Sequence, residues 1–76
     1  MPSGVLSVPA TALGERIREL REEKGLRQWQ LASLVGTQAN RVSDWEIGRR
    51  EPTIPSLRKL AAAFGITVSD LLSDVV

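Results

Sequence analysis

The sequence predicts an all-α domain of five short helices, and three observations carry that prediction. Apolar residues recur at three- and four-residue steps, the period of helices with one buried face. Glycines stand at Gly25, Gly36, Gly48 and Gly65, where four of these runs end, as expected of residues that accept the left-handed conformation closing a helix. Thr53 and Thr67 precede the last two runs in the position of N-caps. Strand-like alternation is found nowhere along the 76 residues.

Leu13, Ile17, Leu20 and Lys24 follow the helical period with Glu and Arg between them, so helix 1 is expected from about Ala12 to Lys24. Helix 2 is expected from Gln28 to Val35, with Leu31, Ala32 and Val35 on one face. After the turn Gly36-Thr37-Gln38 the run ANRVSDWEI forms helix 3, with Val42 and Trp45 three apart and Gly48 as its stop. Arg49 to Pro52 reads as a loop. Thr53 then caps a helix carrying Leu57, Leu60, Ala61 and Phe64, and Thr67 with Asp70 forms a T-x-x-D capping box ahead of Leu71 and Leu72. Residues 1–9 contain Pro, Ser and Gly and no charge; they read as a flexible N-terminal arm, with residues 10–76 as one domain. Lacking Lys and Arg, that arm is a poor candidate for entering a minor groove.

Composition narrows the function. A chain of this length buries only about 60% of the surface that its unfolded form exposes, which leaves little room for a deep cleft. With no cysteine and no histidine, disulfides and thiolate metal sites are excluded, and the familiar nucleophile and base pairs cannot be built. No catalytic residue, metal or cofactor is expected. Apolar stretches are a few residues long, against the roughly 20 that a membrane span needs. The opening MPSGVLSVPA lacks the basic start of a secretory signal, so a cytoplasmic location is expected. Net charge is only +1, but between Gly25 and Arg50 the four arginines at 27, 41, 49 and 50 face only Asp44 and Glu46, a local balance of +2. Taken alone, that balance fits an ordinary solvated surface.

The link between helices 2 and 3 is more informative. Three residues starting with glycine force the helices to cross steeply, so that helix 2 braces helix 3 as in a helix-turn-helix, although a generic helical bundle can contain such a short turn as well. At about 100° per residue, Val42, Trp45 and Glu46 point inward and the opposite side centres on Asn40 and Asp44. Ser43 and Ile47 flank that side on one edge and Arg41 on the other, with Gln38 and Ala39 at the leading tip. Such a short-chained polar face suits a helix whose first turns approach base edges.

The run from Leu13 to Leu72, about four-fifths of the chain, resembles the Cro/CI-type, or XRE, helix-turn-helix family of phage repressors and bacterial regulators. The resemblance rests on LGERIRELREEKGL, Gln28, LA at 31 and 32, Gly36, V-S-x-W-E-x-G from 42 to 48, Pro52 and LxxLAAAFGIT from 57 to 67. It implies a lambda-repressor-like domain that binds double-stranded operator DNA, usually as a homodimer on half-sites about 34 Å apart. By position it places base readers at Ala39, Asn40, Arg41 and Asp44, with Gln38 beside them. It also implies an ion pair between Arg21 and Glu46 that fixes helix 3 structurally.

Each of these positions has a plainer alternative. Asn40 can pair bidentately with adenine or stand as a solvated residue; Arg41 can fork onto guanine or hold a phosphate. Ala39 offers only apolar contact with a thymine methyl. Asp44 departs from the family pattern: it either accepts from cytosine N4 or bridges to a neighbour such as Arg41. Gln28, at the start of helix 2, is expected to hold a phosphate together with the free backbone N–H groups. Arg27, Ser43, Arg49 and Arg50 are the other expected backbone contacts, Arg49 and Arg50 being equally readable as solvated charges. Arg27 also stands where relatives carry a Ser or Thr cap, a loss of about 1 kcal/mol. Trp29 is read as covering the edge of the core, with packing against a DNA sugar or a protein partner as the alternative.

The expected function is that of a sequence-specific transcriptional regulator, a repressor by family precedent. The alternative is an antitoxin or adaptor that holds a protein partner and autoregulates through DNA. Dimerisation is expected from the family and from the apolar end formed by Leu71, Leu72, Val75 and Val76, although core burial explains the leucines equally well.

Overall fold

The structure, a computed structural model, describes residues 8–73, with side chains described over residues 12–73. It contains α1 (Val8–Glu23), α2 (Gln28–Val35), α3 (Ala39–Glu46), α4 (Ile54–Phe64) and α5 (Val68–Leu72), and no strand among the described residues. The bounds of α2 and the caps of α4 and α5 fall where the sequence placed them. α1 differs: it starts at Val8, so Val8 and Pro9 are helical rather than part of an arm. A proline is tolerated there because the first turn of a helix has no acceptor for its missing N–H. At the other end α1 stops at Glu23, and Lys24 is exposed rather than a member of the apolar stripe. The remainder of the expected arm, along with Val75 and Val76, lies outside the described residues.

The core is drawn from every helix: Ile17 and Leu20, Leu31, Ala32 and Val35, Val42 and Trp45, Leu60, Ala61 and Phe64, and Leu71. α3 packs against both α1 and α2, α2 also packs on α4, and α5 closes the arrangement against α4 and α1. Arg16 strengthens that closure by donating from Nη2 to the Asp70 carbonyl at 3.3 Å. Of the apolar residues near the C-terminus, Leu71 belongs to this core and Leu72 is half-buried.

Two local devices set the entry and exit of α2. Arg27 contributes no side-chain cap to α2; instead the Gln30 side-chain carbonyl accepts from the Arg27 backbone N–H at 2.8 Å. That is one half of a capping box, and it offsets part of the expected capping loss. At the far end the backbone N–H groups of Gly36 and Thr37 both donate to the Ala32 carbonyl at 2.8 Å, with Gly36 at φ 85°. A side chain is strained in that left-handed geometry, so the glycine permits the steep turn into α3. Thr53 and Thr67 cap α4 and α5 as expected, accepting from the backbone N–H groups of Ser56 and Asp70.

Trp29 corrects the sequence reading: it is 61% exposed, whereas Trp45 is 3% exposed. The inner face of the two-turn α2 is already occupied by Leu31, Ala32 and Val35, which leaves Trp29 and Leu34 on its outer side.

Gly14 is buried where α1 crosses the end of α3. A Cβ placed there would stand 2.5 Å from the carbonyl oxygens of both Trp45 and Glu46, and backbone atoms cannot step aside cheaply. Helix propensity favours alanine over glycine by about 1 kcal/mol, so the sign of a substitution separates the two effects. Gly14→Ala is expected to destabilise the domain by about 1–3 kcal/mol through overpacking, a fall in Tm of roughly 5–20 °C for a domain of this size. Calorimetry of the variant decides: a raised Tm would show that the helices do not approach this closely.

Candidate nucleic-acid interface

The candidate surface is the outer side of α3 with the start of α2 and the loop that follows α3. It is held from within by one carboxylate. Glu46 Oε2 accepts from Arg21 Nε at 2.6 Å, and Glu46 Oε1 accepts from Arg21 Nη2 at 3.2 Å and from Gln28 Nε2 at 3.0 Å. The remaining side of the guanidinium donates from Nη1 to the Leu26 carbonyl at 2.8 Å. α1, the α1–α2 connection, α2 and α3 therefore meet at a single ion pair, whose side chains are 12% and 4% exposed. The hydrogen bond to Glu46 raises the Arg21 pKa above its ordinary value and outweighs the opposing effect of burial. A folded-state pKa above the unfolded one gives stabilisation that is complete below the unfolded value and is lost only as pH rises through the folded one. The contribution of Arg21 is therefore constant across the neutral range.

This frame turns the rest of α3 outward. Val42, Trp45 and Glu46 are buried, as the helical period required. Gln38, Asn40 and Arg41 are exposed, while Ala39, Ser43 and Asp44 are half-buried. Ile47, which directly follows α3, is 62% exposed and adds an apolar element to the same edge. Arg27, Arg49 and Arg50 are exposed and Gln28 is half-buried. The side-chain amide of Gln28 commits one N–H to Glu46. An amide nitrogen carries two hydrogens, so a second donor remains, beside the first-turn backbone N–H groups that have no acceptor within the helix.

Asp44 does not pair with Arg41. Its carboxylate lies 3.4 Å from Arg50 Nε and 3.9 Å from Arg49 Nε, and its carbonyl accepts from the Arg49 and Arg50 backbone N–H groups at 2.8 and 3.3 Å. A helical wheel places Asp44 on the outer face but is blind to what the chain does after the helix ends, so these partners lay beyond its reach. The link between Gln28 and Glu46 was likewise missed. Both residues belong to the family motif, but nothing in their spacing says that they touch. Among the described residues no group of acidic side chains is arranged to hold a metal ion, and no helix is long and apolar enough to cross a membrane.

The chain belongs to the helix-turn-helix family, whose model matches residues 17–71. It is 46% identical over 63 residues to the HTH-type transcriptional regulator DdrOP3 of Deinococcus deserti, a match covering 83% of this chain and 49% of that protein. The chain thus spans about half the length of that curated relative. Among solved structures it is similar to the restriction-modification controller protein C.AhdI from Aeromonas hydrophila, with 39% identity and a TM-score of 0.79 over 82% of this chain and 94% of that one. It is also similar to the P22 c2 repressor protein, solved in complex with a synthetic operator, with 34% identity and a TM-score of 0.74 over 78% of this chain and 89% of that one.

The two acidic residues of α3 should respond differently to truncation. Glu46→Ala leaves the Arg21 guanidinium, whose side chain is only 12% exposed, without its carboxylate and is expected to cost about 3 kcal/mol, a large share of a small domain's stability. Asp44→Ala breaks contacts to arginines that are 72% and 57% exposed, and is expected to cost less than about 1 kcal/mol. Urea denaturation followed by circular dichroism compares the two; equal midpoints would mean that the Arg21–Glu46 pair is not the interior tie.

Proposed function

We propose that this chain is the DNA-binding domain of a sequence-specific transcriptional regulator, a repressor that occupies an operator as a homodimer in the cytoplasm. The observation that carries the reading is the presentation of α3. Its inner side is locked by Val42, Trp45 and the Arg21–Glu46–Gln28 cluster, while Asn40 and Arg41 stand exposed on its first turns. Arg27 and Gln28 lie at the start of α2, and Arg49 and Arg50 follow α3.

Base contacts specify and phosphate contacts position. Asn40 is assigned to base reading, through the bidentate match of its amide to adenine, and Arg41 to guanine or phosphate. Gln38 and Ala39 approach the same groove at the helix tip. Ser43, Arg27, Gln28, Arg49 and Arg50 are assigned to the sugar-phosphate backbone. The solved P22 c2 complex, which holds a synthetic operator, supports DNA as the ligand class by similarity. No catalytic role is proposed.

Selection of bound sites from a random duplex pool tests the reading. The expected product is a palindrome with half-sites about 34 Å apart, and failure to enrich any motif would overturn sequence-specific binding. On the selected site, Asn40→Ala should cost about 1–3 kcal/mol and relax one base preference. Arg49→Ala should weaken all sequences alike and lower the salt slope of log K by about 1. Fluorescence anisotropy titrations between about 50 and 200 mM salt read both effects.

A further inference from the structure

Arg49 and Arg50 follow α3 on a short loop, where two long side chains would ordinarily sample many rotamers. Here the loop is gathered onto one residue. The Asp44 carbonyl accepts from both backbone N–H groups, and the Asp44 carboxylate faces both guanidinium groups. In each ion pair the closest approach is by Nε. The two Nη groups carry four of the five N–H donors of an arginine, and the side chains stay 72% and 57% exposed. A carboxylate at the Nε corner therefore restrains the guanidinium without covering the donors that fork onto an anion.

We propose that Asp44 is a positioning residue that orients Arg49 and Arg50 toward the phosphate backbone, rather than a reader of bases. This rests on the DNA-binding reading above. It explains why a carboxylate occurs on a face turned toward a polyanion: unpaired, it would repel phosphates, but between two arginines it sits in a cluster of net charge +1. Restraining two guanidinium groups before binding reduces the conformational entropy lost when they meet phosphates.

The test is a double-mutant cycle on the whole chain, using Asp44→Ala, Arg49→Ala/Arg50→Ala, and the triple variant. Affinity for a random-sequence duplex of about 20 base pairs is measured at several salt concentrations. Removing a negative charge beside DNA should by itself tighten binding, so weakening is the informative sign. The expected result is that Asp44→Ala weakens binding of the parent by about threefold and flattens its salt slope, but tightens binding or leaves it unchanged when both arginines are absent. Asp44→Glu, which keeps the charge within reach, should restore part of the loss.

Equal effects in both backgrounds would overturn the proposal, since Asp44 would then act independently of the arginines. Tightening that is larger with the arginines present would also overturn it, because the carboxylate would be competing with phosphate for them. So would an altered base preference in site selection with unchanged affinity for the random duplex. Thermal melts confirm that the variants are folded. A parent that binds no duplex at low salt defeats the DNA-binding reading itself, whereas a parent that binds while the cycle shows no coupling defeats only the role of Asp44.

Discussion

A carboxylate taken out of water is costly unless its charge is met and its oxygens accept hydrogen bonds. Glu46 meets both conditions, because Arg21 presents two donors from α1 and Gln28 a third from α2. Arg21 is satisfied in turn by the Leu26 carbonyl. The value of the arrangement is more geometric than energetic, since an apolar replacement of similar volume can be as stable as a buried ion pair. A hydrophobic contact tolerates sliding and rotation; a bidentate fork with a third fixed donor does not. The backbone crossing at Gly14 works on the same spot, since α1 can lie against the carbonyls of Trp45 and Glu46 only in the absence of a Cβ. Side-chain fork and backbone crossing together fix the end of α3 in position and rotation, and so decide which residues its outer face presents.

That constraint explains what could be read from the sequence. The bounds of α2 and the start of α3 were legible because glycine at 36 and the apolar period of Leu31, Ala32, Val35, Val42 and Trp45 act locally, while α3 ends at Glu46, one residue before the expected Ile47. The inward turn of Glu46 was legible too, from the period and from the family resemblance. The start of α1 was not: Pro9 and the small residues around it have the composition of a loop, yet a proline fits the first turn of a helix as well as it fits a loop. Trp29 was misread because the size of a side chain says that burial would be favourable, while the two turns of α2 had no inner position left for it. Asp44 was located on its face but not with its partners, because a period of 3.6 residues ceases to apply where the chain leaves the helix.

The same reasoning separates two kinds of polar contact that look alike in the sequence. Arg21–Glu46 and the Asp44–Arg49–Arg50 group each pair carboxylate with guanidinium on or beside α3. The first is shielded from solvent on both sides, so its loss is felt by the fold. The second is open to solvent on the arginine side, where exposed ion pairs contribute little to stability. Weak pairs at a surface are suited to a role in which the partners are later shared with a ligand, because little must be given up when the ligand arrives.

Net charge sharpens this point for the proposed function. A chain carrying only +1 overall gathers little of the sequence-independent attraction that strongly basic domains obtain from counterion release. Its affinity must then rest on a few well-placed donors, and the ratio of specific to non-specific binding rises when the uniform component is small. On the proposed function, the rigid α3 would serve that ratio, while the arginines held by Asp44 would add to binding of every sequence alike. Under that reading, a fixed α3 would limit the orientations in which its outer face meets the groove, so that Asn40 would reach its base in one register only.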